Sequence, residues 1–321
     1  MPSTVIALVA SRQSLRDCLL VVKHAMVKTR QKIDVEDASG DRFFAELKKT
    51  TNGMLPANIY REMYQQSLAH SHNDIIDIGV GQGPSSIAFA LGIVHSQRTN
   101  IVHVIDQFEQ VKDGPHRYCT KDFPEGCRLA NTEVFLNHVN DYGVDGTIQT
   151  YPCRTDEVDL DPDLQADILA IDADGLIDRD LGYFFDNLVP GGYIIIDDYA
   201  DMINKRGRAK LKGFSHVSVE EARAEWLGMS IFARRRILGK HFLVYVLANW
   251  IELSGAMKKK KILGTTVFYE KTTSKKFRDI VGSDQSFVDN ILMSRFLSEL
   301  WILVQGRSKK RQPPYLKLLF R

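Results

Sequence analysis

From Asp74 onward, short apolar runs alternate with longer stretches of mixed polarity. DIIDIG (74–79) is an apolar run closed by glycine, a helical stretch follows from about Pro84 to Ile93, and IVHVID (101–106) is the next run. Gly146 to Tyr151 suggests a third, DILAID (167–172) a fourth, and GGYIIIDD (191–198), at the turn Pro190-Gly191-Gly192, a fifth. Apolar runs of this length bounded by turn residues read as strands. Strands alternating with helices predict βαβ units, a parallel sheet and right-handed crossovers that place helices on both faces.

The flanks follow other rhythms. Leu15, Leu19, Val22 and Met26 recur at helical steps, Asn52-Gly53 interrupts, and Pro56 opens a second helix through Tyr60, Met63 and Leu68. After Asp198, Val219 to about Leu227 reads as helix, His241 to Leu253 as either a strand or a buried helix, and GTTVFYEK (264–271) as a strand. Phe287 to Val304 carries Phe287, Ile291, Leu292, Phe296 and Leu300 on one helical face, and the basic tail from Gly306 holds Pro313-Pro314. The expected organisation is a helical cap over 1–70, an α/β core over 71–275, and a C-terminal helix with a basic tail over 276–321.

Composition narrows the class. The chain of 321 residues is 44% hydrophobic and 26% charged, ordinary for a globular protein, and its net charge of +2 excludes a general polycation. Cys18, Cys119, Cys127 and Cys153 show neither CxxC nor zinc-finger spacing, which favours free thiols in a reducing compartment. The apolar run from Val5 to Ala10 is short and has no basic residue before it, and no uncharged stretch reaches membrane-spanning length. These features predict a cytoplasmic protein.

The most informative segment is Asp77-Ile-Gly79-Val-Gly81-Gln-Gly83-Pro84, three glycines between a buried strand and a helix. Glycine permits positive φ and close approach of a ligand to the backbone, and such sheets bind ligands at the carboxyl ends of their strands. A dinucleotide fingerprint would place glycine where Pro84 stands. It would also gain nothing from Asp77, whereas the ammonium of an amino acid would. S-adenosylmethionine (SAM) carries such an ammonium and no phosphate. Asp106 closes the next strand, where a carboxylate can accept both ribose hydroxyls or simply cap the helix that follows. Asp172, and then Asp197 and Asp198, close two further strands, so neighbouring strands would bring three carboxylates to the edge that holds the glycine turn. A hard divalent cation resolves their repulsion; otherwise they cap helices and turns.

The stretch from about Met54 to Lys271 resembles the metal-dependent class I SAM-dependent O-methyltransferases, most of all the macrocin O-methyltransferase-like group that modifies sugars of natural products. The resemblance rests on MLPANIYREMY, DIIDIGVGQG, HVIDQF, DILAIDADG and LVPGGYIIIDDY. It implies a Rossmann-like, mostly parallel seven-stranded sheet with helices on both faces, helical additions at both ends, and an edge hairpin containing GTTVFYEK. It also implies that Asp77, Gly79, Gly81, Gly83, Asp106 and Thr155 hold SAM, and that Asp172, Asp197 and Asp198 hold Mg²⁺ or Mn²⁺. Two positions depart from the pattern: Gly175 stands where catechol-type relatives carry a lysine base, and Tyr199-Ala200-Asp201 where sugar-modifying relatives carry a histidine. Asp172 then serves as ligand and base, or His216 acts if its loop folds over the site.

Metal-assisted O-methylation of a hydroxylated small molecule or glycan is the resulting expectation. Its competitors are a metal-independent N- or RNA-methyltransferase and a SAM-binding module without turnover. Basic clusters at Lys205–Lys212, Arg234–Arg236, Lys258–Lys261 and Lys309–Arg311 read as solvated faces, as contacts to an anionic glycan, polymer or membrane surface, or as an RNA surface, although no nucleic-acid motif accompanies them. The C-terminal helix would pack on the core or form a homodimer face.

Overall fold

The computed structural model describes residues 40–108, 132–172, 176–203, 205–214, 218–281, 292–293 and 296. The helical reading of Leu15 to Met26, the tail, Cys18, Cys119, Cys127, Gly175 and His216 lie outside them. In chain order the described elements are α1 (Asp41–Thr50), α2 (Ala57–His70), β1 (Asp74–Ile78), α3 (Pro84–His95), β2 (Val102–Ile105), α4 (Thr132–Asp141) and β3 (Ile148–Tyr151). They continue with β4 (Ala166–Ile171), α5 (Ile177–Phe184), β5 (Leu188–Ile196), α6 (Lys205–Gly213), α7 (Val219–Gly228) and α8 (Ile231–Leu238). The last are α9 (Lys240–Leu253), β6 (Met257–Leu263), β7 (Thr266–Lys271) and α10 (Phe277–Val281).

The strands form one seven-stranded sheet in the order β3-β2-β1-β4-β5-β7-β6. β1 to β5 pair in parallel, and β7 runs antiparallel between β5 and β6. β1 and β4 are neighbours, so the chain reverses its direction of travel across the sheet between them, which is where open α/β sheets form a crevice. This is the Rossmann-like methyltransferase fold. GTTVFYEK lies in the expected edge hairpin as β7, and His241–Leu253 is a helix, α9, rather than a strand.

Period-two alternation sorts the strand residues between two cores. Ile76, Ile78, Leu169, Ile171, Ile194 and Ile196 face one, while Ile75, Ile168, Ala170, Ile195 and Phe268 face the other with α2 and α3. Both faces are covered, so β1 and β4 read as unbroken apolar runs. On the α2–α3 side a Cβ on Gly92 would lie 2.6 Å from the Ser67 Cβ, and the Ser67 hydroxyl donates to the Phe89 carbonyl at 2.7 Å. Small residues thus bring the two helices into near-backbone contact.

The lysine run turns out to be β6 itself. A register shift between Lys259 and Lys261 marks a bulge, and an edge strand rich in lysine discourages pairing with other chains. Lys259 pairs with Glu252 at 2.7 Å, Lys260 with Glu270 at 2.6 Å and Lys261 with Glu62 at 2.5 Å. Arg235 makes a two-pronged contact with Asp178 at 2.9 and 2.6 Å, tying α8 to α5. Part of the positive charge after β5 therefore has an internal partner. Of the C-terminal amphipathic stretch, Leu292 and Phe296 are fully buried, and Phe296 stacks on Trp226 with ring centroids 4.0 Å apart. Among the described residues no helix is long and apolar enough to cross a membrane.

Candidate active site

The backbone ladder runs one residue past the ends of the parallel strands. Gly79 N–H donates to the Ile105 carbonyl at 3.0 Å, Asp172 N–H to Ile78 at 2.9 Å and Asp197 N–H to Ile171 at 3.1 Å. The residues that end β1, β4 and β5 are thereby set in a row along one edge. Asp77, Asp172 and Asp197 each stand two positions beyond a residue of the α2–α3 core (Ile75, Ala170 and Ile195), so alternation turns all three towards α2 and α3.

The cofactor half of this edge is organised by the glycines. Gly79, Gly81 and Gly83 take φ of 78°, 57° and 96°, which side chains disfavour. Gly81 N–H donates to Asp106 Oδ2 at 3.0 Å and Phe108 N–H to Asp106 Oδ1 at 2.8 Å, so this carboxylate fixes the loop. Burial raises the Asp106 pKa against backbone N–H bonds from Phe108, Gly81 and Val80. A Cβ on Gly81 would meet nothing within 4 Å, whereas one on Gly83 would strike the Phe135 ring at 2.8 Å. Gly83 is needed for packing; Gly81 leaves room against bare backbone.

Asp77 is 3% exposed, and its Oδ2 accepts the Ser85 hydroxyl at 2.9 Å and the Ser86 hydroxyl at 2.7 Å. Burial pushes its pKa up to about 6 despite both hydroxyls, with Asp106 adding a little. The two serines open α3, and the sequence reading passed over them. Thr155 is buried beyond the end of β3, where the Arg179 guanidinium donates to its hydroxyl at 3.5 Å.

The acid half holds Asp172, Asp197 and Asp198, with one carboxylate oxygen of each within 4.8 Å of the others. Asp197 Oδ1 accepts the Thr265 hydroxyl at 3.1 Å and the Thr266 hydroxyl at 2.7 Å, both from the β6–β7 hairpin. Asp198 adopts φ of 60°, the left-handed conformation that asparagine and aspartate tolerate best, and this turns its carboxylate back onto the cluster. Burial and the neighbouring Asp197 raise the pKa of Asp172 to about 7, with Lys240 pulling the other way. Tyr60 of α2 feels the same charge: burial raises its pKa, and Asp172, Asp197 and Asp77 raise it further.

Two residues of this site were not foreseen from the sequence. Lys240 Nζ contacts Asp198 Oδ2 and lies 3.8 Å from Asp172 Oδ1. His241 Nδ1 lies 2.9 Å from Asp198 Oδ1, but without hydrogen-bond alignment. Burial, then Lys240, lowers the His241 pKa, which favours the neutral ring. A lysine and a histidine do stand at the acid cluster, at the head of α9 rather than at the positions near β4 and β5 where the resemblance would place them. The available signal was Gly239-Lys240-His241 leading into an apolar run.

No protein-family model matches the chain, and no curated protein matches it in sequence. Among solved structures the chain is similar to the O-methyltransferase NovP, at 17% identity over 71% of this chain and 88% of that one, TM-score 0.45. The SAH-bound methyltransferase PaMTH1 of Podospora anserina gives 10% identity over 85% and 100%, TM-score 0.43. A methyltransferase from Geobacter sulfurreducens gives 16% over 83% and 99%, TM-score 0.40. Its own sheet order and antiparallel seventh strand are those of the class I methyltransferase fold.

Proposed function

We propose that the chain is a SAM-dependent O-methyltransferase for a hydroxylated small molecule or sugar, with Mg²⁺ or Mn²⁺ held by Asp172, Asp197 and Asp198. The observation that carries this reading is the meeting, at one sheet edge, of the glycine loop with its buried carboxylates and the three clustered aspartates. The residues suit both groups. Open space over Gly81 admits a nucleoside against the backbone, and a donor set made only of carboxylate oxygens suits a hard cation.

SAM supplies an activated methyl group, and a divalent cation bound to the acceptor oxygens lowers the pKa of the hydroxyl and fixes its direction. The chain does the rest. Asp77 holds the ammonium of the amino-acid moiety, Asp106 the ribose hydroxyls, and Gly81 leaves the loop backbone open while Gly79 and Gly83 shape the turn around it. Thr155 belongs to the wall behind β3. Asp172 takes the acceptor's proton, with neutral His241 beside Asp198 as a second acceptor. Tyr60 and its helix close the side facing the cluster, which keeps water from the reacting oxygen.

The test is transfer of labelled methyl from SAM to a pool of vicinal diols, catechols and sugars. Label should appear on oxygen, fall by more than about tenfold with EDTA, and fall likewise in Asp197→Asn/Asp198→Asn. Transfer insensitive to both would overturn the metal part; transfer to nitrogen or RNA alone would overturn the acceptor class.

A further inference from the structure

The acid cluster already contains a cation of the chain's own. Lys240 Nζ sits against Asp198 Oδ2 and 3.8 Å from Asp172 Oδ1, two of the three carboxylates of the cluster. That Asp198 oxygen is buried and makes no aligned hydrogen bond, so the contact is one of charge. Four lysines of the β6–β7 hairpin are committed elsewhere. Lys259, Lys260 and Lys261 pair with Glu252, Glu270 and Glu62, and Lys271 donates to the Phe185 and Leu188 carbonyls at 2.7 and 2.5 Å. Lys240 also differs in freedom. It is the first residue of α9, after Gly239, and its side chain is 31% exposed on a flexible four-carbon stem.

From this geometry we infer that Lys240 is an internal, displaceable counter-cation of the acid cluster, and that its ammonium and a divalent ion are mutually exclusive occupants of Asp172 and Asp198. The identity of the competitor rests on the metal reading above. Three carboxylates with oxygens within 4.8 Å of one another cannot all stay ionised without a positive charge among them. In the metal-free protein the ammonium supplies it. A divalent ion supplies twice the charge at the same oxygens and repels the ammonium, which swings towards solvent. Asp197 is held instead by the Thr265 and Thr266 hydroxyls.

The experiment is a Mn²⁺ titration of the full chain by electron paramagnetic resonance at low salt, comparing wild type with Lys240→Met, alongside thermal unfolding in EDTA. Lys240→Met should bind Mn²⁺ tighter by on the order of tenfold, since binding no longer has to expel a positive charge. Its midpoint in EDTA should fall, and adding Asp198→Asn should restore it, because the two effects share one ion pair. Retained binding of S-adenosylhomocysteine verifies that the variants fold. Equal or weaker Mn²⁺ affinity in Lys240→Met overturns the competition and leaves the metal reading standing. Tight binding by Lys240→Met alone supports the competition and shows that the lysine wins in the native chain. No Mn²⁺ binding by either protein overturns both the competition and the metal reading.

Discussion

At the scale of single residues, the positions most legible in the sequence were those whose chemistry is forced by where a strand stops. Asp77, Asp106, Asp172, Asp197 and Asp198 each sit at or next to the end of an apolar run, where a charged side chain leaves the core for the crevice. Lys240 and His241 were not legible in the same way, because their place depends on how α6 to α8 return the chain to the sheet. Asp77 has a testable consequence. Its folded pKa of about 6 lies above the ordinary carboxylate value, so the free protein holds a proton there that the unfolded chain has already lost. Its contribution to stability is therefore greatest at low pH and is lost as pH rises through about 6. Binding an ammonium requires the opposite form. Affinity for S-adenosylhomocysteine, followed by calorimetry from about pH 5 to about pH 8, should weaken by about tenfold per pH unit below about 6. Asp106, and Asp172 beyond it, are the other acids whose charge bears on this profile, and Asp77→Asn should abolish the inflection while leaving theirs. A flat profile in the wild type would remove Asp77 from the ammonium site.

At the scale of elements, the strand runs and the glycine turn were predictable because burial on both faces leaves little choice of residue. The segment 241–253 was not: a stretch apolar nearly all round reads alike as strand or helix, and only its length and the cap at Gly239 favour α9. The lysine run left its secondary structure open for the converse reason, since a composition that signals a charged surface also suits a sheet edge. Within the glycine turn, two similar residues should respond differently to alanine. Gly83→Ala adds a Cβ 2.8 Å from Phe135 at φ of 96° and should lower stability by about 1–3 kcal/mol in denaturant unfolding. Gly81→Ala meets open space at φ of 57° and should cost only about 1 kcal/mol, yet it should weaken S-adenosylhomocysteine binding sharply by filling the ligand's approach. If both variants lose stability equally and neither loses affinity, the ligand does not lie over Gly81.

At the scale of the whole molecule, the sheet order was legible only through the family resemblance; no local pattern announces that β7 inserts between β5 and β6. If the crevice binds its nucleoside, saturating the chain at ~100 times the dissociation constant should add about 2.7 kcal/mol. The melting midpoint should then rise by several degrees, and an unmoved midpoint at that concentration would argue against the site. The threonines that hold Asp197 have a different consequence, which concerns the order in which the chain is made. The glycine loop and Asp106 belong to strands finished by Tyr151, while Thr265 and Thr266 arrive after β4, β5, five further described helices and β6. A nascent chain emerging from the ribosome can therefore assemble its nucleoside crevice well before its acid cluster has the hairpin that secures it. Premature termination anywhere in α6 to α9 would yield a chain that retains the loop yet lacks the hydroxyls beside Asp197, so synthesis itself separates the two halves of the site.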